Sequence, residues 1–301
     1  MTEGLLERPG GRRLHFRVTG PESGHPVFYC HGVPGSSLDP SLPEAALARQ
    51  AVRMIAIDRP GYGLSSSCAG YDFHAHTTDI KAVATHLGLH RFSLLGFSLG
   101  GVFALACASG LGARVDRVMT AGAPATALME NPLAHAGTLT ASVWRQAQDD
   151  PAALPGTLMP LVADADTLMA ALLDALSQAD QRLLTAPDNQ PSFRASLARA
   201  IRRGPEEAAA AMARDVGLLM QPWGFDPGAL QQPVSVIHGT EDALLSTTHA
   251  EALASALPTA TIHLMRGCGH YAALYAEGSA EQLLALHHPD PSARAGDPLH
   301  E

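Results

Sequence analysis

Short apolar runs alternate with helix-like stretches along most of this chain, and this alternation limits the possible folds more than any other feature. Seven runs have the length and composition of buried strands: 14–18, 26–32, 53–58, 92–98, 117–123, 234–239 and 260–265. Helices are predicted at 43–50, 76–87, 99–109, 247–257 and 271–286. Strands that alternate with helices form a mostly parallel sheet with helices on both faces. The sequence therefore predicts an α/β fold.

One long segment interrupts this alternation. Residues 125–223 are rich in Ala, Leu and Met, have helical spacing, and are broken by several prolines. We predict that they form a helical cap inserted into a core made of 1–124 and 224–290. The acidic residues of the cap, Asp180 among them, are expected on a solvated outer face. The polar, proline-containing residues 291–301 are predicted to be a flexible tail.

Composition and charge exclude several classes of function. The net charge is −9 and Lys81 is the only lysine, so we expect no basic surface that could bind nucleic acid. The chain has no signal-peptide core and no run of about 18 apolar residues, which predicts a cytoplasmic protein without a membrane partner. The four cysteines show no CxxC spacing and are interpreted as thiols.

No motif for a metal or cofactor is apparent. The sequence lacks H-E-x-x-H, a G-x-x-x-x-G-K phosphate loop, and a G-x-G-x-x-G motif after a strand. His74, His76 and Asp79 form an isolated cluster without the further ligands that a zinc site needs. We therefore expect chemistry that uses neither a metal nor a cofactor.

A Gly-Phe-Ser-Leu-Gly motif at 96–100 separates a predicted buried strand from a predicted apolar helix. A strand, a sharp turn and a helix in this order present a serine hydroxyl above the edge of a sheet. Glycines are required two positions to either side, because larger side chains would collide with the adjoining strand and helix. This context predicts that Ser98 is a nucleophile.

Two later loops carry the partners that a serine nucleophile needs, namely a base within reach and an acid that orients the base. His270 follows the last predicted strand on a glycine-containing loop, and Asp242 follows the strand before it. The order Ser, Asp, His is expected of such a sheet. Glu241 is an alternative acid. Most of the fifteen histidines are interpreted as bystanders, including His238 and His263.

An acyl-transfer intermediate also needs two hydrogen-bond donors for its oxyanion. The backbone N–H of Leu99, directly after the nucleophile, is one candidate. The loop after the strand at 26–32 supplies the other, and we predict Val33 N–H because Pro34 has no N–H to donate. The ring of His31 is expected to anchor this loop by hydrogen bonds.

With these residues in place, the chain resembles the α/β-hydrolase fold superfamily, of the lipase, esterase and proline-iminopeptidase-like type with a helical cap. The resemblance covers almost the whole chain. It rests on His-Gly-Val-Pro-Gly at 31–35, Asp-Arg-Pro-Gly-Tyr-Gly-Leu-Ser at 58–65, the motif at 96–100, Gly-Thr-Glu-Asp at 239–242, and Gly-His at 269–270. The resemblance implies an eight-stranded, mostly parallel sheet, a Ser-His-Asp triad, and a structural turn at 58–65 beside the pocket.

Two positions depart from the proline iminopeptidase pattern. Those enzymes typically have a second glycine after His-Gly and a tryptophan after the serine, where this chain has Val33 and Leu99. Peptidase activity is therefore not favoured. A serine at position 98 also argues against the relatives that use an aspartate nucleophile, the haloalkane dehalogenases and epoxide hydrolases.

The predicted cap indicates a class of substrate. Its large apolar side chains are candidate pocket residues, namely Met159, Met169, Met212, Trp144 and Met220, of which we assign Trp144 and Met220 to substrate binding. An apolar roof favours a small to medium, uncharged acyl substrate such as a carboxylic ester. Acyltransferase, lyase, cyclase, perhydrolase, peptidase and non-catalytic ligand-binding functions remain alternatives. The physiological substrate, the acceptor and the oligomeric state stay open.

Overall fold

The computed structural model describes residues 1–39 and 42–276 and is built around one eight-stranded sheet. The strands are β1 Thr2–Arg8, β2 Arg12–Thr19, β3 His25–Cys30, β4 Val52–Ile57, β5 Phe92–Phe97, β6 Val115–Ala121, β7 Val234–Gly239 and β8 Ala260–Met265. Their order across the sheet is β1-β2-β4-β3-β5-β6-β7-β8. β2 runs antiparallel to both β1 and β4, and the other neighbouring pairs are parallel. The predicted eight-stranded, mostly parallel sheet is confirmed.

The central strands are covered on both faces. Every residue of β5 and of β7 is buried, and successive side chains of a strand point to opposite faces. Burial on both faces explains why these strands appear in the sequence as continuous apolar runs and not as alternating patterns. The loops that follow β5 and β7 therefore start from strands that are packed on both faces.

The sequence pattern does not predict β1. This strand reads Thr-Glu-Gly-Leu-Leu-Glu-Arg, with a single β-branched residue, and none of its residues is fully buried. It lies at the edge of the sheet and pairs only with β2. A Cβ added at Gly4 would lie 2.4 Å from the ring of Phe16, so Phe16 packs directly over this glycine. Pairing with β2, and not local preference, makes this segment a strand.

Helices of the core connect the strands. They are α1 Glu44–Arg49, α2 Phe73–His86, α3 Gly100–Leu111, α10 Thr247–Ala256 and α11 Ala272–Tyr275. Asp72 begins α2 by accepting a hydrogen bond from the Ala75 N–H at 2.7 Å. α3 is apolar on every side because it is buried against β5 and β6. Most of the helix predicted at 271–286, and the tail predicted at 291–301, lie outside the described residues.

Six helices occupy the described segment between β6 and β7. They are α4 Thr138–Asp149, α5 Leu154–Leu158, α6 Ala165–Ala175, α7 Gln178–Thr185, α8 Gln190–Ala200 and α9 Pro205–Leu219. The inserted helical region is thus confirmed, while its behaviour as a separate cap domain stays a prediction. In the part of the chain that the structure describes, no single helix has the length and apolar composition to cross a membrane. One bent pair of segments, Leu154–Val162 and Ala165–Ala175, meets those criteria only when taken together.

Candidate active site

Ser98 lies in the sharp turn between β5 and α3. Its φ angle is +52°, in the left-handed region that residues other than glycine rarely adopt. The Ser98 N–H donates to the carbonyl of Ala121 at the end of β6, and the Gly101 N–H donates to the Ser98 carbonyl, both at 2.8 Å. These bonds hold a strained residue at the C-terminal edge of the sheet, where strain often accompanies function.

The two motif glycines permit this turn because no side chain fits at either position. A Cβ added at Gly96 would lie 2.4 Å from the carbonyl oxygen of Gly100, and a Cβ added at Gly100 would lie 2.0 Å from the carbonyl oxygen of Cys30. Both contacts are with backbone, which moves only if α3 or β3 moves. This is the collision that the sequence predicts.

His270 follows β8, Asp242 follows β7, and their side chains meet. The Nδ1–H of His270 donates to Oδ2 of Asp242 at 2.6 Å. The other oxygen, Oδ1, accepts from the N–H groups of Leu244 and Leu245 at 2.8 and 3.0 Å. Because an ionised carboxylate only accepts hydrogen bonds, Nδ1 carries the proton and Nε2 is the basic nitrogen of the neutral ring.

Each member of this pair favours the charged form of the other. Burial alone would raise the pKa of Asp242, but nearby His270 and hydrogen bonds from His238 and His270 bring that pKa well below its usual range. Burial alone would lower the pKa of His270, yet Asp242, with a smaller contribution from Asp180, raises that pKa above 6.5. Asp242 is therefore ionised at neutral pH and ready to stabilise a protonated His270.

Glu241, the alternative acid, lies on the outside of the same loop. The residue is exposed, whereas the side chain of Asp242 is fully buried against His270. Glu241 contributes through its backbone, because its N–H donates to the Cys268 carbonyl at 2.8 Å and joins the two loops. The geometry favours Asp242 over Glu241 as the orienting acid.

A second histidine, His238 at the end of β7, also touches Asp242. The sequence predicts a bystander at this position, and the residue is buried. Its Nε2 lies 2.9 Å from the Leu245 carbonyl and 3.2 Å from Oδ2 of Asp242. Asp242 thus lies between two imidazoles. The sequence signal for this contact is the spacing of four residues across the turn after β7, which the sequence analysis does not use.

Asp180 of α7 holds the loop that carries His270. Its side chain is buried and not solvated as the sequence suggests. Oδ2 accepts from the His270 N–H at 2.8 Å and Oδ1 from the Tyr271 N–H at 2.9 Å. A Cβ at Gly269 would lie 2.1 Å from Oδ2 of Asp180, so only glycine fits there. Burial raises the pKa of Asp180, although the two backbone N–H groups and His270 partly oppose that rise.

The loop after β3 passes beside Ser98. A Cβ added at Gly32 would lie 3.2 Å from Cβ of Ser98. The ring of His31 bonds on both sides: Nδ1 donates to the Gly32 carbonyl at 2.9 Å, and Nε2 accepts from the Arg59 N–H at 3.1 Å. Burial and the charge of Arg59 hold the pKa of His31 well below 6.5, so this ring is neutral.

Ser98 and His270 border one cavity of about 120 Å³ under the inserted helices, which they share with Val33 and Leu99, whereas Asp242 lies behind His270 and is not part of the lining. Among the described residues that line it, polar side chains belong only to Ser98, Thr140 and His270, and no lining residue is Asp, Glu, Lys or Arg. The inserted helices contribute mostly aliphatic walls: Leu139, Val143, Leu158, Leu161, Leu168, Leu172, Val216 and Leu219.

Two of the candidate cap residues border this cavity, Trp144 on α4 and Met212 on α9. Three others do not: Met159, Met169 and Met220. Met212, Val216 and Leu219 share one face of α9, whereas Met220 lies just beyond the last residue of that helix. Met220 instead lines a separate cavity of about 650 Å³ beside Trp223. The expectation that Met220 contacts substrate does not fit this geometry.

The isolated cluster of His74, His76 and Asp79 lies on α2, and its members have other partners. His76 is within 3.4 Å of the Cys30 thiol and 2.9 Å of the Tyr71 hydroxyl. Asp79 pairs with arginines of the first two strands. Within residues 1–39 and 42–276, no group of three or more His, Cys, Asp or Glu side chains is arranged to hold a metal ion.

Comparison with known proteins finds chains of similar sequence. The model of the family described as alpha/beta hydrolase fold matches residues 25–277. YisY of Bacillus subtilis, an AB hydrolase superfamily protein, is 34% identical over 111 residues, which are 36% of this chain and only 41% of YisY. A 2-hydroxy-6-oxononadienedioate/2-hydroxy-6-oxononatrienedioate hydrolase of Paraburkholderia phymatum is 27% identical over 276 residues, 89% of this chain and 88% of that protein.

Solved structures of similar shape include an esterase, RhEst1 from Rhodococcus sp. ECU1013. It superposes with a TM-score of 0.70 at 22% identity, over 95% of this chain and 98% of that one. Identity at this level shows likeness of fold.

Proposed function

The chain belongs to the alpha/beta hydrolase fold family, and from this premise we propose that it hydrolyses carboxylic esters with small, uncharged, apolar acyl groups. Ser98 is the nucleophile, His270 the general base, and Asp242 the acid that orients the base. One observation carries the proposal: Ser98 and His270 share a cavity with Val33 and Leu99, and the rest of that cavity is almost entirely apolar.

In the first half-reaction, Oγ of Ser98 attacks the carbonyl carbon of the ester while Nε2 of His270 accepts the hydroxyl proton. The electron pair of the carbonyl double bond moves to its oxygen and forms an oxyanion. When this tetrahedral intermediate collapses, the bond to the alcohol oxygen breaks and His270 donates its proton to the leaving oxygen. The products are an acylated Ser98 and a free alcohol.

In the second half-reaction, water takes the place of the alcohol. Nε2 of His270 removes a proton from the water as its oxygen attacks the acyl carbon. Collapse of the second intermediate breaks the bond to Oγ of Ser98, which regains its proton from His270, and releases the carboxylic acid. Asp242 stays ionised throughout and stabilises the imidazolium that forms twice in each cycle.

The oxyanion is stabilised by the backbone N–H groups of Val33 and Leu99. Leu99 is at the start of α3, a helix of 12 residues, and the partial positive charge at a helix N-terminus favours an anion there. Donors already in place cost no reorganisation during the reaction, so each contributes about 3–4 kcal/mol to lowering the barrier.

The absence of charge in the described lining supports an uncharged acyl group. The relative from Paraburkholderia phymatum is named for a dioate substrate, which carries two carboxylates. The cavity described here has no lysine or arginine to pair with a carboxylate, and an unpaired buried charge costs several kcal/mol. A neutral ester meets no such penalty.

The size of the cavity supports a short acyl chain. An apolar cavity of roughly 150 Å³ accommodates benzene. By that standard a cavity of about 120 Å³ holds an acyl chain of about four to six carbons. Because the walls are aliphatic, affinity should grow with each methylene until the cavity is full.

Active-site labelling tests the nucleophile. We expect a fluorophosphonate probe to label the native protein, and Ser98→Ala to lose both labelling and at least about a thousandfold in ester turnover. Ser109→Ala, at the exposed end of the same helix α3, is the matched control and should behave as the native protein. Labelling that persists in Ser98→Ala would remove Ser98 from the mechanism. A native protein that does not label would point to a ligand-binding function.

A substrate panel tests the bond that is cleaved. We would compare four kinds of substrate at equal concentration: neutral p-nitrophenyl esters, thioesters, amides, and the dioate for which the relative from Paraburkholderia phymatum is named. The products would be identified by mass spectrometry. We expect butanoate or hexanoate esters to be the best substrates. Faster cleavage of the carbon–carbon bond of the dioate would replace the ester proposal by a C–C hydrolase, and transfer of the acyl group to an added alcohol in preference to water would indicate an acyltransferase.

A further inference from the structure

Arg59, in the loop after β4, is the largest fully buried side chain of the described residues. Its guanidinium makes three side-chain hydrogen bonds: Nη1 donates to the His31 carbonyl, Nη2 donates to the Gly32 carbonyl at 2.8 Å, and Nε donates to Oδ2 of Asp215 at 2.9 Å. The ring of Phe103 lies 4.6 Å below the guanidinium carbon. Arg59 does not border the Ser98 cavity.

Burying a guanidinium is costly unless hydrogen bonds and an opposite charge compensate. Here Asp215 supplies the opposite charge, and two consecutive carbonyl groups of the loop beside Ser98 supply the other hydrogen-bond acceptors. A simple turn at 58–65, which the resemblance implies, requires no such contact. The position of Arg59 therefore needs an explanation that involves the loop.

The peptide between Gly32 and Val33 links this contact to the reaction. That peptide is trans, and in a planar trans peptide the C=O and the N–H point in opposite directions. The Gly32 carbonyl is held by Nη2 of Arg59 and by Nδ1 of His31, at 2.8 and 2.9 Å. The Val33 N–H must therefore point away from Arg59. Val33 is one of the residues that line the cavity, and Arg59 is not.

We propose that Arg59 is a positioning residue that aims the Val33 N–H at the oxyanion, and that Asp215 of α9 holds Arg59 in place. The proposal rests on the proposed function, because it takes Val33 as an oxyanion donor. A charged donor on the Gly32 carbonyl also polarises the peptide, which strengthens the Val33 N–H as a donor. Arg59 thus acts on the transition state without touching the substrate.

Asp215, a residue of α9, connects Arg59 and the loop at 31–33 to the inserted helices. It is buried, and its Oδ1 accepts from Nε and Nη2 of Arg214 at 2.8 and 2.6 Å. Arg214 in turn donates from Nη1 to the Pro60 carbonyl at 2.8 Å. The neighbouring positions Met212 and Val216 of the same helix line the cavity. One helix, α9, therefore both lines the substrate cavity and holds, through Arg59, the loop that carries an oxyanion donor.

The test substitutes Arg59 and separates kcat from KM. A misaligned oxyanion donor weakens transition-state binding and leaves ground-state binding unchanged. We expect Arg59→Gln to lower kcat by about 10- to 100-fold, less than the complete loss of one donor, with KM nearly unchanged. Arg59→Lys, which keeps the charge and one donor, should recover part of the loss.

Arg12→Gln is the matched control. Like Arg59, Arg12 pairs with a buried aspartate, here Asp79, which it contacts through two hydrogen bonds of 2.9 and 2.7 Å, and neither residue borders the cavity. This variant should lose comparable stability while kcat stays within about twofold of native. An equal fall in kcat for Arg59→Gln and Arg12→Gln, or a loss that appears in KM alone, would overturn the proposal.

The rate of labelling by a fluorophosphonate gives a second readout that needs no ester turnover. The phosphonyl oxygen occupies the oxyanion position, so Arg59→Gln should slow labelling of Ser98 by a factor similar to that in kcat. A native protein that labels but cleaves no ester would disprove the proposed function and still report on Arg59. Unchanged labelling in Arg59→Gln would disprove the role of Arg59.

Asp215→Asn keeps the test available if Arg59→Gln does not fold, because asparagine preserves shape and one acceptor oxygen. We expect a smaller fall in kcat, about three- to tenfold, with unchanged KM and slower labelling. Native kcat and labelling rates in a folded Asp215→Asn protein would overturn the link between α9 and the oxyanion loop.

Discussion

The loops at the strand ends and the inserted helices contribute to the same cavity in different ways. The loops supply Ser98, His270 and the backbone N–H groups, whereas the helices supply walls that are apolar apart from Thr140. The helices also carry two buried carboxylates, Asp180 and Asp215, which bond to core residues.

In the proposed mechanism this difference separates the groups that react from the groups that position them. The loops of the core would hold the reactive atoms, while side chains from α7 and α9 bond to the loop of His270 and, through Arg59, to the loop at 31–33. Substitutions in the loops should therefore remove the chemistry, those of the helix carboxylates should weaken it through geometry, and those of the apolar walls should change which substrate fits.

The largest losses are expected in the loops of the core. His270→Ala should lower kcat by about a thousandfold or more, because no second base is among the described residues that line the cavity with Ser98. Asp242→Asn should lose the same or less, because it misorients the base without deleting it. Glu241→Gln, next to Asp242 but exposed, is the matched control and should stay near native. A greater loss for Glu241→Gln than for Asp242→Asn would make Glu241 the orienting acid.

The pH dependence of kcat/KM tests the role of His270 in the native protein, without a substitution. At low pH His270 is protonated and cannot accept a proton, so kcat/KM should rise about tenfold per pH unit and then level off. Because Asp242 raises the pKa of His270, the midpoint of this limb should lie above 6.5. A rate that stays constant down to about pH 5 would contradict a histidine base.

A smaller effect is expected from the carboxylate of α7. Asp180→Asn replaces one carboxylate oxygen, which accepts a hydrogen bond from the His270 loop, by an amide group that faces a backbone N–H. We expect kcat to fall about tenfold, and the free energy of unfolding, measured in urea, to fall by about 1–3 kcal/mol. The rising limb of the pH profile should move to lower pH, because Asp180 helps to raise the pKa of His270.

Asp166→Asn provides the comparison for Asp180. Asp166 is also an inserted-helix aspartate, but it is exposed and pairs with Arg194 at 2.6 Å, so its loss should leave kcat and the pH profile unchanged. If the two variants have the same kcat and the same pH midpoint, Asp180 only stabilises the fold.

The smallest effect concerns the apolar wall. Each methylene buried in the cavity contributes up to about 0.8 kcal/mol, so kcat/KM for p-nitrophenyl esters should rise several-fold per two carbons to a maximum near butanoate or hexanoate. Leu168→Ala, on α6, should move this maximum to longer chains and leave the pH profile unchanged. Leu197→Ala, equally buried in α8 but outside the cavity lining, should lose stability without moving the maximum.

Local features were enough to predict much of the core and of the candidate site. The turn at Ser98 is predicted by the motif glycines at 96 and 100, where larger side chains would collide with the backbone of α3 and β3, and the strands β2 to β8 are predicted by their apolar runs. Because parallel strands end at one edge of a sheet, the loops with Asp242 and His270 could be expected to meet there, and their side chains lie 2.6 Å apart. Their catalytic roles stay predictions.

Other features depended on the packing of distant segments. The edge strand β1 forms because β2 offers it hydrogen bonds, and Met220 lines a different cavity from Trp144 and Met212. Asp180 lies 90 residues from the His270 N–H it binds, and Asp215 lies 156 residues from Arg59.

The sequence by itself therefore determined the order of the strands and helices and the position of the serine turn, since both are marked by local signals, namely the apolar pattern of each segment and the glycines two positions to either side of Ser98. Only the tertiary structure decided which acidic residues of the inserted helices are buried against the core loops. The local sequence around a helical aspartate does not show whether that aspartate lies on the solvent face or on the buried face of the helix. The choice depends on how the helix is rotated against its partner, and that rotation is set by packing across the whole molecule.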